Sequence, residues 1–234
     1  MKRKFGIWIV AALLGILGGF AGAALWSATG MAHGETRAYL VANPDILPEM
    51  ADAFERQRDE NRLADVAQDV KAPFEGAVLG NPNGSVTLVE FTDYACGYCR
   101  ASAEDVQALI ADNPDLRVVV REWPIFEGSD AAARMALAAA RQGRYAAFHD
   151  ALFVAGSPTG SNIAAAARQA GLDMDRARAF AGSDAAQFEL TKNMALARRL
   201  GFTGTPSWVV GDEVIEGAVG QEALAAAIAR AAAS

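Results

Sequence analysis

The chain has 234 residues, 52% of them hydrophobic, and a formal net charge of −7. That is ample for one sizeable buried core with appendages, and the acidic balance argues against nucleic acid as a partner, because phosphate binding needs a basic surface. Two cysteines and two histidines do not supply four clustered ligands for a closed zinc site, and neither a metal nor a cofactor is expected.

The N-terminus begins Met1-Lys2-Arg3-Lys4, and residues 5–26 carry no charge. As a helix this run would be roughly 33 Å long, enough to cross a bilayer core. Its basic end stays in the cytoplasm by the positive-inside rule. Residues 1–30 are therefore read as a basic tip and single-pass membrane anchor. The remainder then lies at the periplasmic, extracytoplasmic face of the inner membrane. A cleaved signal peptide is the competing reading, with Ala21-Gly22-Ala23 as its cleavage site. The run is longer than the usual cleaved segment, which favours the anchor.

Residues 31–74 read as a helical stalk. The stretch 35–70 is rich in charge, and Pro44 and Pro48 interrupt its start. Leu47, Met50 and Phe54 recur at helical spacing, and Leu63, Val66 and Val70 continue the stripe after a polar gap. Such a stripe cannot form a core alone. It must pack on the domain, pack on a copy of itself, or stay partly disordered.

Pro73 and the turn cluster Gly80-Asn81-Pro82-Asn83-Gly84 mark the next unit, read as residues 75–234. Residues 86–91 form a strand by their β-branched content and run into Cys96-Gly97-Tyr98-Cys99. A helix follows, apolar at Ala103, Val106, Leu109 and Ile110, and it stops before Pro114. Residues 116–122 are an apolar run suited to the middle of a sheet. Residues 129–201 read as a helical insertion. Ser129 is placed to cap its first helix, Gly143 breaks it, and Gly171 and Gly201 end later helices. Strands at 207–210 and 214–216 and a closing helix from Gln221 complete the unit. The fold class is α/β, a small central sheet with a helical insertion.

A CxxC between a strand and a helix reads as a redox pair, and an oxidising outer compartment strengthens that reading. The N-terminal cysteine lies over the first helical turn, where free N–H groups and the helix dipole stabilise a thiolate. Cys96 then opens a substrate disulfide, and Cys99, one turn on, resolves the mixed disulfide. The alternatives are a structural bridge and a Cu(I) half-site. The first is weakened because so short a loop closes little chain; the second would suit soft ligands. Glu90 stands in an otherwise apolar strand six positions before Cys96. It is either a buried carboxyl that exchanges a proton with Cys99 or an exposed strand-end residue. Gly204-Thr205-Pro206 precedes a strand, where proline is ordinary.

Taken together, these residues resemble the DsbA-like thiol:disulfide oxidoreductases, which are thioredoxin-like. Leu88-Val89-Glu90-Phe91-Thr92-Asp93-Tyr94-Ala95-Cys96-Gly97-Tyr98-Cys99 is similar to that family's first strand and active site. Val120-Arg121-Glu122-Trp123-Pro124-Ile125 looks like its second-strand signature, and Tyr145 with Phe148-His149 resembles a motif of its helical insertion. The resemblance implies a nucleophile at Cys96, a resolving cysteine at Cys99, a buried acid at Glu90 and a cis-proline at Pro206. Thr205, Gly97 and Tyr98 would then contact substrate, and His149 would serve packing or hydrogen bonding. It also implies exported cysteine-containing proteins as substrates and a membrane redox partner.

Residues 35–72 resemble the N-terminal segment of the ScsC-like branch, at Tyr39-Leu40, Asn43-Pro44 and Ile46-Leu47-Pro48-Glu49, which implies a homo-oligomer. The Gly97-Tyr98 dipeptide and the threonine before Pro206 look more like the isomerase DsbC than the oxidase DsbA, so both directions stay open. A copper-binding or holdase protein that uses the pair without turnover is the alternative from another class.

Overall fold

The computed structural model describes residues 15, 16, 18–23, 25, 26 and 31–233. The anchor expected over residues 5–26 lies largely outside them, and among the described residues no helix is long and apolar enough to cross a membrane. The chain divides into two compact units, with the division at Glu55 and Arg56.

In the first unit, helix α1 (Met31–Ala42) is closed by Asn43. Its backbone N–H and its side-chain amide both donate to the Tyr39 carbonyl, at 3.0 and 2.8 Å. Pro44 sits in the break that follows. Pro48 falls in the first turn of α2 (Ile46–Leu63), where a missing N–H loses no helical bond. Tyr39, Val41, Leu47, Met50 and Phe54 are all exposed.

The second unit is built on five strands: β1 (Val78–Gly80), β2 (Val86–Thr92), β3 (Leu116–Glu122), β4 (Ser207–Val210) and β5 (Glu213–Glu216), in the order β1-β3-β2-β4-β5. Only β2 and β3 run parallel, and helix α4 (Gly97–Asp112) makes the crossover that a parallel pair needs. Strand β1 was not legible in the sequence. It has three residues and ends at Gly80, whose φ of +71° and approach to the Leu116 carbonyl (2.6 Å from an added Cβ) exclude a side chain.

Both faces of β2 are covered, so the strand reads as a continuous apolar run rather than an alternation. One face carries Leu88, with Val118 and Val120 of β3. It packs on α4, α5 (Asp130–Ala140), α6 (Tyr145–Ala155), α7 (Gly160–Gln169) and α10 (Gln221–Ala233). The other face carries Val89, Phe91 and Val119. It is sealed by Leu63, Val66 and Val70, around the end of α2 and in α3 (Ala67–Lys71), and by Leu196, Ala197 and Leu200 from α9 (Asp184–Arg199) and its cap. The second half of the apolar stripe thus packs on the sheet.

The helical insertion, α5 to α9 with α8 at Met174–Ala181, lies between β3 and β4. Gly171 and Gly201 follow their helices at positive φ, as helix-ending glycines do. Ser129 does not cap α5: its backbone is already helical (φ −82°, ψ −17°), and its hydroxyl lies 2.8 Å from both Asp93 Oδ2 and the Phe126 carbonyl.

Candidate active site

Cys96 occupies the extended residue just before α4, and Cys99 the first turn. Both are free thiols. Cys96 is 4% exposed, and its Sγ donates to the Thr205 carbonyl at 3.3 Å. The unpaired N–H groups of the first helical turn lie at this end of α4. Cys99 has no exposure at all. Burial pushes its thiol far above the ordinary range; the Thr205 side chain opposes this and the charge of Glu90 adds to it. Gly97 and Tyr98 are exposed beside the pair, Tyr98 at 71%.

The Thr205–Pro206 peptide bond is cis. Register explains why this segment meets the cysteines. Ser207 at the start of β4 pairs with Phe91 near the end of β2, the strand that leads into the CxxC turn. The Pro206 carbonyl accepts from Gly217 N at 2.9 Å, which ties the loop to the chain after β5.

Glu90 is fully buried between Val120 and Trp208 in the sheet. Neither carboxylate oxygen has a hydrogen-bond partner, and desolvation raises its pKa to about 7. The hydroxyls of Thr92 and Thr205 are also buried without partners. These same three side chains bear on the Cys99 thiol. The structure therefore brings Cys96, Cys99, Glu90, Thr205 and Pro206 to one end of the sheet. A carboxyl that titrates near neutrality beside a buried thiol can take up and return a proton.

A second buried acid was missed in the sequence. Glu122 ends β3 on the face of Val118 and Val120, and its Oε1 accepts from the hydroxyls of Tyr145 (2.7 Å) and Tyr94 (3.1 Å). The Tyr94 hydroxyl also lies 3.0 Å from His149 Nδ1. Desolvation raises Glu122 to about 8 and lowers His149 to about 3. The parity of Glu122 with Val118 and Val120 was the available signal.

Residues 87–229, well over half of the chain, match the DSBA-like thioredoxin domain. The chain belongs to the DsbA-like thioredoxin family. Among solved structures, a thioredoxin-like oxidoreductase from Silicibacter pomeroyi is 46% identical, with a TM-score of 0.64 over 67% of this chain and 92% of that one. A periplasmic thioredoxin-like protein from Salmonella enterica serovar Typhimurium is 29% identical (TM-score 0.62; 72% of this chain, 97% of that one). A linker-deletion mutant of Proteus mirabilis ScsC is 25% identical (TM-score 0.68; 85% and 92%), in keeping with the ScsC-like likeness of the sequence. The chain spans about a quarter of the length of the curated relatives it matches, which are Na+/H+ antiporters; that of Salinispora tropica is 30% identical over 166 residues. The shared part is 69% of this chain and 26% of that antiporter.

Proposed function

We propose that this chain is a thiol:disulfide oxidoreductase that acts on exported proteins by dithiol–disulfide exchange. The observation that carries the reading is the stack of Cys96, Cys99 and Glu90. A thiol at the helix start contacts the Thr205 carbonyl, and a fully buried thiol behind it lies near a carboxyl with no partner.

In this reading the Cys96 thiolate attacks one sulfur of a client disulfide. The client S–S bond breaks, a mixed disulfide forms, and the client's other sulfur leaves as thiolate. Cys99 must lose its proton to complete the cycle, and burial opposes that loss. Glu90 accepts the proton; Cys99 then attacks Cys96 Sγ and the client leaves reduced. The reverse sequence donates the disulfide. Thr205 and Pro206 border the path of the client backbone, and Gly97 and Tyr98 face it from α4.

The N-terminal run over residues 5–26 serves as an anchor and holds the domain at the extracytoplasmic face of the membrane, where a membrane redox partner resets the pair. Support comes from its length and basic flank and from the likeness to a periplasmic protein. The first unit is the oligomerising element: Leu47, Met50 and Phe54 form an exposed apolar stripe at helical spacing, which a second copy would cover.

The test is Cys99→Ser in cells. An exchange enzyme accumulates clients disulfide-bonded to Cys96, visible as thiol-sensitive adducts on non-reducing gels. Absence of adducts, with stoichiometric Cu(I) retention by the wild type, would favour the copper-holding alternative. Mass-shifting alkylation of the wild type then assigns direction: a mostly disulfide pair marks a donor, a mostly dithiol pair an isomerase or reductase.

A further inference from the structure

Glu122 is a buried titratable group that the exchange cycle leaves without a task, and its bonds lead to the redox turn. Its Oε1 accepts from the Tyr94 hydroxyl at 3.1 Å and from the Tyr145 hydroxyl at 2.7 Å, while Oε2 is buried without a partner. Tyr94 stands two residues before Cys96 and is 1% exposed, with its ring packed on Phe148, His149 and Phe153. Asp93 is a second tie for the same turn. Its carbonyl accepts from Cys96 N at 3.1 Å, and its Oδ1 from Ala95 N at 2.7 Å. Its Oδ2 accepts from Ile125 N at 2.6 Å and Phe126 N at 3.0 Å, and Ser129 Oγ lies 2.8 Å away. Asp93 thus fastens the turn through backbone N–H groups after β3, and Tyr94 fastens it through one ionisable side chain at the end of β3.

An amide oxygen would accept from both hydroxyls, so bonding alone does not call for an acid; ionisation is what an acid adds. Burial holds the Glu122 proton on, the Tyr145 and Tyr94 hydroxyls pull the other way, and the charges of Asp93 and Glu90 add to burial, which leaves the carboxyl titrating at about 8. His149 stays neutral nearby, its pKa lowered by burial to about 3. With Glu122 ionised, Oε1 takes both hydroxyl protons, and the Tyr94 oxygen is free to accept from His149 Nδ1, 3.0 Å away. With Glu122 protonated, Oε1 is a neutral acceptor, bonds to it weaken by about half, and the Tyr94 proton can turn to Nδ1 instead. The hydroxyl that secures the redox turn therefore has a strong and a weak state of attachment.

We propose that Glu122 is a positioning residue for Cys96: acting through the Tyr94 hydroxyl, it holds the redox turn in the geometry of attack, and holds it more firmly as a carboxylate than as an acid. The inference deepens the exchange reading above and rests on it. Attack on a disulfide needs the nucleophilic sulfur aligned with the S–S bond it breaks, and a small misplacement of a reacting atom is costly in rate. The turn that aims Cys96 is the one Tyr94 holds, so slack in that hold enters the rate of the attack step.

The experiment is stopped-flow reaction of the full-length dithiol protein with hydroxyethyl disulfide, from about pH 6 to about pH 10, at probe concentrations where attack limits the rate. Each rate constant is divided by the thiolate content read by ultraviolet absorbance at the same pH; Cys99 stays out of that count because burial holds its proton on far above the ordinary thiol range. The wild-type rate per thiolate is expected to rise by on the order of fivefold through a step near pH 8, where Glu122 ionises. Glu122→Gln flattens the step, as does Tyr94→Phe, which keeps the ring; Tyr145→Phe moves it to higher pH. A role in packing alone would lower the rate at every pH and leave the step in place. A flat wild-type profile overturns the proposal, as does a step that survives Glu122→Gln. A step lost in Glu122→Gln but kept in Tyr94→Phe overturns the route through Tyr94. A wild type that iodoacetamide alkylates at Cys96 but that hydroxyethyl disulfide leaves untouched overturns the exchange reading, and the positioning role falls with it.

Discussion

Glu90 and Glu122 lie on the same face of neighbouring parallel strands, offset by one diagonal step, since Glu90 pairs with Val120 and Thr92 with Glu122. Both are buried, and the charge of Glu90 helps to raise Glu122. Two acids in one apolar wall resist being ionised together, so their titrations are coupled.

Stability should record this. A carboxyl whose pKa rises on folding, here from 4.5 to about 7 for Glu90, binds its proton more tightly in the folded state. Its burial is harmless below pH 4.5 and weakens the fold as pH climbs toward 7 and beyond. Glu90→Gln is expected to gain about 3 kcal/mol relative to wild type between pH 4 and pH 8.5. Urea unfolding at the two pH values measures it; a gap that stays constant with pH would defeat the assignment. On the proposed cycle the same variant should slow exchange near neutrality, because it removes the carboxylate proposed to take the Cys99 proton.

Tyr145→Phe removes the shorter of the two hydroxyl bonds to Glu122. That bond favours the ionised acid, so its loss moves the Glu122 pKa further up from about 8. The expected cost is roughly 1–3 kcal/mol above pH 9, where the lost partner served a carboxylate, and less at pH 5. Carbon-13 NMR titration of labelled glutamate reads the shift directly.

The two cysteines should differ sharply toward alkylation. Cys96 keeps slight exposure at a helix start, whereas Cys99 is sealed and its thiol held protonated by burial. Iodoacetamide on the native dithiol protein is expected to modify Cys96 first by a wide margin. Cys99 should react only on unfolding, which peptide mass spectrometry resolves.

Arg121 is buried on the opposite face of the sheet, with its guanidinium bonded to Glu189 (3.1 Å) and Asn193 (3.2 Å) and to the carbonyls of Asp69, Val70 and Ala72. Arg121→Met leaves Glu189 charged and buried without its partner, at a cost of about 3–5 kcal/mol. Adding Glu189→Met should recover much of that loss. Urea midpoints of the single and double variants test the pair.

The CxxC helix and the strands around it were legible because their signals are local: apolar runs bounded by Pro114, Gly143, Gly171 and Gly201 end where those residues require. Strands β2, β3 and β4 stand within a residue of expectation. Strand β1 carries too few residues for any periodicity. The environment of Glu90 was undecidable because a strand covered on both faces hides the parity that separates inside from outside; only the placement of helices on each side shows the burial. Asp93 was invisible as an anchor since its partners lie more than thirty residues away, at Ile125, Phe126 and Ser129. Ser129 looked like a cap for the same reason: local grammar offered it one role, and a distant carboxylate gave it another.

The wall made by Leu63, Val66 and Val70 has a consequence for autonomy. The region that matches the family begins at residue 87, yet the sheet behind it is closed by side chains that precede it in the chain. A fragment trimmed to the family's own limits would keep Leu196, Ala197 and Leu200 over Val89, Phe91 and Val119 but lose Leu63, Val66 and Val70 from that wall, and it would strip the guanidinium of Arg121 of three carbonyl acceptors. A fragment that begins upstream of Leu63 keeps the whole wall and is expected to be the more stable of the two, which urea unfolding of both would measure. Limited proteolysis of the intact protein should spare residues 63–72 while it cuts more exposed helix before them.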